Sequence, residues 1–315
     1  MTTAVKENGK GGKFMCQLWH MGRQGHSDMM GVTPPSASAT KMSGDVTVKH
    51  HKKKPYETAH AMTVEEIQST IEDYKKAAEV CTKTKHLLYL SIATISHTIL
   101  FIPLKNALAA GFDGVQIHSA NGYLIDQFLQ PCTNLRTDEY GGCLDNRLRF
   151  MKEVIEAVLS VVPAEKVWIR LSPNGAFGEM GHENSCQTFD AAIQLAATYK
   201  LGCIEVMDGL TFGFHEKDEP YDLERVRKNV LIGNTDEENP TAVMGNCGHT
   251  LESANKEIGN ANADLISFGR PYMSNPDLPE RFAQAIDLAP PPEYEDWWTK
   301  ESDDGYTTFA RATPE

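Results

Sequence analysis

Apolar and β-branched residues gather in six short runs along this chain, at Lys13–Trp19, Gly114–His118, Val167–Leu171, Cys203–Met207, Thr241–Met244 and Leu265–Phe268. Their length and composition predict strands. Between most of them apolar positions recur at three- and four-residue spacing, which predicts helices over Thr63–Glu79, Asn146–Val161, Cys186–Tyr199 and Leu251–Ile258. Strands alternating with helices imply parallel strands joined by crossover helices, an α/β fold. In such folds ligands bind beyond the carboxyl ends of the strands, and in a (β/α)8 barrel the reacting groups sit on the loops that follow them.

Each run finishes in something chemically useful: Gln17, His118, Arg170, Asp208, Gly245–Asn246 and Gly269–Arg270. The richest end is that of the second run, where His118, Asn121 and Tyr123 follow in quick succession. Two neutral donors and a phenol suit stabilising an enolate oxygen and then protonating carbon. Taken alone, a satisfied histidine beside a turn explains the trio equally well. The last two ends pair glycine with Asn246 or Arg270, and glycine lets backbone amides approach an anion that arginine can meet with two hydrogen bonds. Phosphate, an arginine and a neutral proton donor together suggest a phosphorylated cofactor.

The segments Phe14–Arg23, His118–Leu129, Asn134–Gly142 with Asn146 and Arg147, Val243–Asn246 and Phe268–Asp277 together resemble the old yellow enzyme family of flavin oxidoreductases. The resemblance runs from about residue 13 to about residue 298 and is strongest to the branch of 12-oxophytodienoate reductases and fungal alkene reductases. It implies a (β/α)8 TIM barrel around FMN, with NADPH or NADH as reductant and an α,β-unsaturated carbonyl compound as substrate. By the same resemblance, Gln17 would bond the flavin pyrimidine and Arg170 its N1 and O2 edge. Gly245, Asn246, Gly269 and Arg270 would hold the phosphate. His118 and Asn121 would clamp the substrate carbonyl, Tyr123 would deliver the proton, and Trp298 would line the pocket. For Trp297 and Trp298 a packing role at the C-terminal end stands beside that one. Two other functions stay open: an inactive family remnant, and a different barrel enzyme using His118 as general base. Asp138, Tyr140, Gly141, Gly142, Asn146 and Arg147 read as bracing around the site rather than catalysis.

Composition narrows the class. At 315 residues the chain suits one large α/β barrel domain, and its formal charge of −13 argues against a nucleic-acid surface. Seven scattered cysteines form no C-x-x-C pair, which speaks against an iron–sulfur cluster and for a reduced, cytoplasmic setting. A homo-oligomer is compatible with the sequence. The first run resembles the family's third strand, so the first two strands are expected to be missing and the barrel incomplete. The basic run Lys49–Lys54 reads as a solvated loop, with attraction of a nucleotide phosphate as the lesser alternative.

Val80–Lys105 contains an uncharged apolar run, Leu87–Leu104, close to the lower length for a membrane span. Removing it places Ile67, Ile71, Tyr74, Ala78 and Leu108 on one continuous helical face. We therefore read 80–105 as an insertion foreign to the fold, in the manner of a retained intron, rather than as a membrane anchor.

Overall fold

The computed structural model describes residues 12–49, 52–82, 111–209, 220–234, 240–293 and 308–312. The first expected run forms β1 (Met15–Leu18), followed by a turn of 3-10 helix at Gly22–Gln24 and a short α1 (Ser27–Met30). A long excursion then carries β2 (Pro35–Ser36), β3 (Asp45–Val48), β4 (Lys52–Pro55) and β5 (His60–Ala61) before α2 (Val64–Thr82). Next come β6 (Gly114–His118), α3 (Leu124–Leu129), α4 (Leu144–Leu159), β7 (Val167–Leu171), α5 (Ser185–Thr198), β8 (Cys203–Met207) and α6 (Leu223–Gly233). The described elements end with β9 (Ala242–Asn246), α7 (Leu251–Gly259), β10 (Leu265–Ser267), α8 (Arg270–Ser274) and α9 (Leu278–Gln284).

Six strands form one sheet in the order β1-β6-β7-β8-β9-β10, every neighbour parallel. Because strand side chains alternate between faces, the register sorts them into two sets. Leu18, Val115, Ile117, Val167, Ile169, Leu171, Ile204, Val206 and Val243 join the apolar core. The helices meet them with Ile67, Ile71 and Tyr74 of α2, Val154, Ile155 and Val158 of α4, Phe189 and Ile193 of α5, and Val226 and Val230 of α6. Burying each such side chain contributes about 1.5–3 kcal/mol. The alternate positions carry Gln17, Gln116, His118, Arg170, Glu205, Asn246 and Ser267, so the sheet keeps a polar face whose members line up strand by strand.

Among the described residues β1 and β10 are the two edges of this sheet. The basic run departs from expectation: Lys52–Pro55 is a strand, paired antiparallel with Asp45–Val48. Strand pairing uses only backbone groups, so lysines can occupy it while their side chains stay in water, and Lys54 forms an ion pair with Asp28. The helical face expected over Thr63–Glu79 is present, with Ile67, Ile71, Tyr74 and Ala78 all buried. Most of 80–105 lies outside the described residues, as do Trp297 and Trp298. Among the described residues no helix is long and apolar enough to cross a membrane.

Candidate active site

A chain of hydrogen bonds crosses the polar face of the sheet and visits all six strands. Gln17 Nε2 donates to Gln116 Oε1 at 2.7 Å, and Gln116 Nε2 donates to Glu205 Oε2 at 2.6 Å. From the other side Ser267 Oγ donates to Glu205 Oε1 at 2.9 Å and accepts from Asn246 Nδ2 at 2.6 Å. Arg170 Nη2 closes the series by donating to Asn246 Oδ1 at 2.7 Å. The guanidinium Nε lies 3.8 Å from Glu205 Oε2 and is buried without a hydrogen-bond partner.

His118 ends β6 directly beside Arg170 of β7 in the register. Burial, reinforced by the arginine charge, lowers its pKa to about 3, so the ring is neutral at ordinary pH. Tyr123 packs edge-on to it with ring centroids 5.1 Å apart, and Trp19 packs edge-on to Tyr123 at 4.9 Å. Burial raises the Tyr123 phenol to about 12, with the neighbouring Tyr56 phenol adding to the effect.

Asn121 and Gly122 form the turn between them, both left-handed at φ 58° and 69°. Asparagine is one of the few side chains that tolerates this region, and three bonds hold it there. Asn121 N donates to Ser172 Oγ at 2.7 Å, Asn121 O accepts from Gln24 Nε2 at 2.7 Å, and Gly122 N donates to Asp126 Oδ2 at 2.8 Å. The Asn121 Oδ1 atom itself is buried without a partner.

Beside the ends of β7 to β10 lies a cavity of about 1050 Å³ whose walls include Arg170, Asn246, Gly269 and Arg270. Gly245 is not among the cavity walls; it is closely packed on the apolar side of β9, where a Cβ would come within 2.7 Å of Leu223 Cδ1 and 2.8 Å of Ile266 Cδ1. Gly269 caps α8 and Arg270 begins it at the rim. Gln17 and the His118–Asn121–Tyr123 trio are not among the cavity walls; the hydrogen-bond chain and the His118–Arg170 register link them to it.

Gln116, Glu205 and Ser267 were not singled out by the sequence, in which His249 reads as an ordinary loop residue. A charged residue in the middle of an apolar strand, Glu205 within Cys-Ile-Glu-Val-Met, was the available signal. His249 Nε2 stands 3.0 Å from both oxygens of Asp208, and that hydrogen bond raises its pKa. In the segment read as bracing, Asn146 Nδ2 donates to Asp138 O and Gly141 O, and Arg147 donates to Leu129 O and Gly142 O. Among the described residues no group of three His, Cys, Asp or Glu is placed to hold a metal ion.

The parallel sheet with its crossover helices is an α/β fold of TIM-barrel type. The NADH:flavin oxidoreductase / NADH oxidase family matches residues 1–86 and 104–289, and the chain belongs to that family, whose cofactor is FMN. Among its relatives are two proteins of Oryza sativa subsp. japonica. Putative 12-oxophytodienoate reductase 11 is 33% identical over 278 residues, covering 87% of this chain and 66% of the relative. 12-oxophytodienoate reductase 7 is 31% identical over 287 residues, covering 87% and 65%. The chain thus spans about two thirds of the length of these relatives, 66% and 65%.

The old yellow enzyme homologue from Zymomonas mobilis superposes with a TM-score of 0.81 at 35% identity, over 98% of this chain and 76% of that one. Morphinone reductase in complex with tetrahydroNAD superposes with a TM-score of 0.78 at 27% identity, over 99% and 76%.

Proposed function

We propose that this chain is an FMN-dependent ene-reductase that uses NADPH or NADH to reduce the C=C bond of an α,β-unsaturated carbonyl compound. The observation that carries the reading is the neutral His118 held beside Tyr123 and Asn121 at the end of a strand adjoining Arg170. The residues present suit FMN: Arg170 Nε is buried without a hydrogen-bond partner, and Arg270 stands exposed on the cavity rim. Gln17 and Arg170 would meet the pyrimidine edge, and Gly245, Asn246, Gly269 and Arg270 the phosphate end.

Bound FMN would supply the hydride chemistry, accepting from the nicotinamide and passing on to the substrate β-carbon. Everything else falls to the chain. His118 and Asn121 donate to the carbonyl oxygen as charge gathers there, a contribution of roughly 3 kcal/mol per donor. Tyr123, its phenol raised to about 12, stays protonated until the α-carbon becomes basic enough to take the proton. A histidine with a pKa of about 3 is a weak base at neutral pH, which favours the donor role over general-base chemistry.

The test is Tyr123→Phe in the FMN-loaded chain, followed by rapid mixing. NADPH is expected to bleach the flavin at nearly the original rate, while reoxidation by cyclohexenone slows about 10²–10⁴-fold. Loss of the NADPH step with the enone step intact removes Tyr123 from the proton-donor role. A wild-type chain that takes up no FMN and oxidises no NADPH would mark an inactive family member.

A further inference from the structure

We propose that Glu205 is a positioning residue that fixes the direction of the hydrogen bonds made by Gln17, Gln116 and Ser267 in the strand-end chain and tempers the charge of Arg170. The proposal rests on the flavin reading above. Glu205 lies at the middle of β8 between the fully buried Ile204 and Val206 and is itself 6% exposed. A carboxylate in such a place is costly unless it is paired, and both its oxygens are engaged.

An ionised carboxylate only accepts, so its neighbours must donate to it. Gln116 therefore gives its NH2 to Glu205 and is left with its carbonyl oxygen facing Gln17. Gln17 must in turn donate, which leaves its own Oε1 and one amide hydrogen for a ligand. The pyrimidine of a flavin offers the complement, an imide N–H beside carbonyl oxygens.

The same logic runs the other way. Ser267 spends its single proton on Glu205 and can only accept from the NH2 of Asn246. The Asn246 oxygen faces Arg170, whose Nη2 can only donate to it, so the carboxylate and the guanidinium agree on the direction of the Asn246 amide. The acceptor-only carboxylate thus settles the orientations of Gln116, Gln17 and Ser267, and the donor-only guanidinium of Arg170 settles that of Asn246. Its negative charge, 3.8 Å from Arg170 Nε, also offsets part of the positive charge that would stabilise a reduced, anionic flavin.

The experiment compares wild type and Glu205→Gln, both loaded with FMN, by flavin midpoint potential and by the dissociation constant of oxidised FMN. Glutamine keeps the shape but removes the charge and can donate. We expect reduced flavin to gain about tenfold in affinity relative to oxidised flavin, a positive shift of about 30 mV for a two-electron couple. A purely structural role would weaken both redox forms alike, so a lower stability with an unmoved potential overturns the proposal. Should Glu205→Gln not fold, Ser267→Ala carries the test: it removes the hydroxyl that joins Glu205 to the Asn246 NH2, and oxidised FMN is expected to bind at least threefold more weakly. An unchanged dissociation constant in that variant overturns the proposal. A wild-type chain that holds no FMN overturns the flavin reading and this one together, whereas a flavin-holding wild type with unmoved variants overturns only the role of Glu205.

Discussion

Among the described residues, His118 and His20 are the two histidines whose pKa burial pulls down furthest, to about 3 and about 4. His20 is 3% exposed and accepts from Gly22 N through Nδ1, a bond that needs the neutral ring. Both fold with a pKa below the unfolded value of about 6.5, so the unfolded chain binds more protons. Their stability contribution is therefore complete above pH 6.5 and is lost as pH falls towards the folded values. Each costs roughly 1.4 kcal/mol per pH unit below about 6, or about 3 kcal/mol per unit for the pair. His249 works in the opposite sense: Asp208 raises its pKa, so its contribution is present below the unfolded value and fades as pH climbs through the folded one. Because two lowered groups outweigh one raised group, the urea midpoint at pH 5 is expected to fall clearly below that at pH 7. Replacing His20 by Gln should remove about half of the slope, and a stability flat between pH 5 and 7 would contradict both assignments.

At the scale of elements, α3 shows how a short helix can organise three loops. All six of its residues are buried, and Gln127 uses its whole amide. Its Nε2 donates to Gly122 O at 2.7 Å and Met21 O at 3.2 Å, while its Oε1 accepts from Ser36 Oγ at 2.8 Å and Arg23 N at 3.1 Å. Gln127→Leu keeps the volume and strands four polar groups, so urea unfolding should show a loss of roughly 3 kcal/mol or more. An unchanged midpoint would mean that water replaces the amide at no cost. The sheet strands were legible because β-branched runs survive burial on one face, and β9 extends past Met244 only because Gly245 fits where a Cβ would clash. The β3–β4 hairpin was hidden by its lysines, and α6 by Leu231 and Ile232, which stand exposed and break the helical stripe. The site divides the same way. His118, Asn121, Tyr123 and Arg170 follow or end strands and could be read from position, whereas Gln116 and Glu205 lie inside strands, where their polarity is meaningful only once the neighbouring strands are in register.

For the molecule as a whole, the family match leaves residues 87–103 between its two parts, inside the 80–105 segment that we propose is foreign to the fold. With Ile67, Ile71, Tyr74 and Ala78 already buried on α2, joining Glu79 to Asn106 would prolong that face with Leu108. Deleting 80–105 is expected to raise soluble yield, since an apolar run of this kind drives aggregation. A deletion that abolishes expression while the intact chain stays soluble would show that the segment belongs to the fold. The hydrogen-bond chain across the strands has a consequence for how the molecule is made. Its six members stand at positions 17, 116, 170, 205, 246 and 267, so the first and last come from the two ends of the sheet's sequence. Contacts so distant form late, after most of the chain has been synthesised and collapsed. The network is therefore finished only when β10 docks, and if the flavin reading holds, yellow colour in a newly made chain would serve as a clock for the last step of folding.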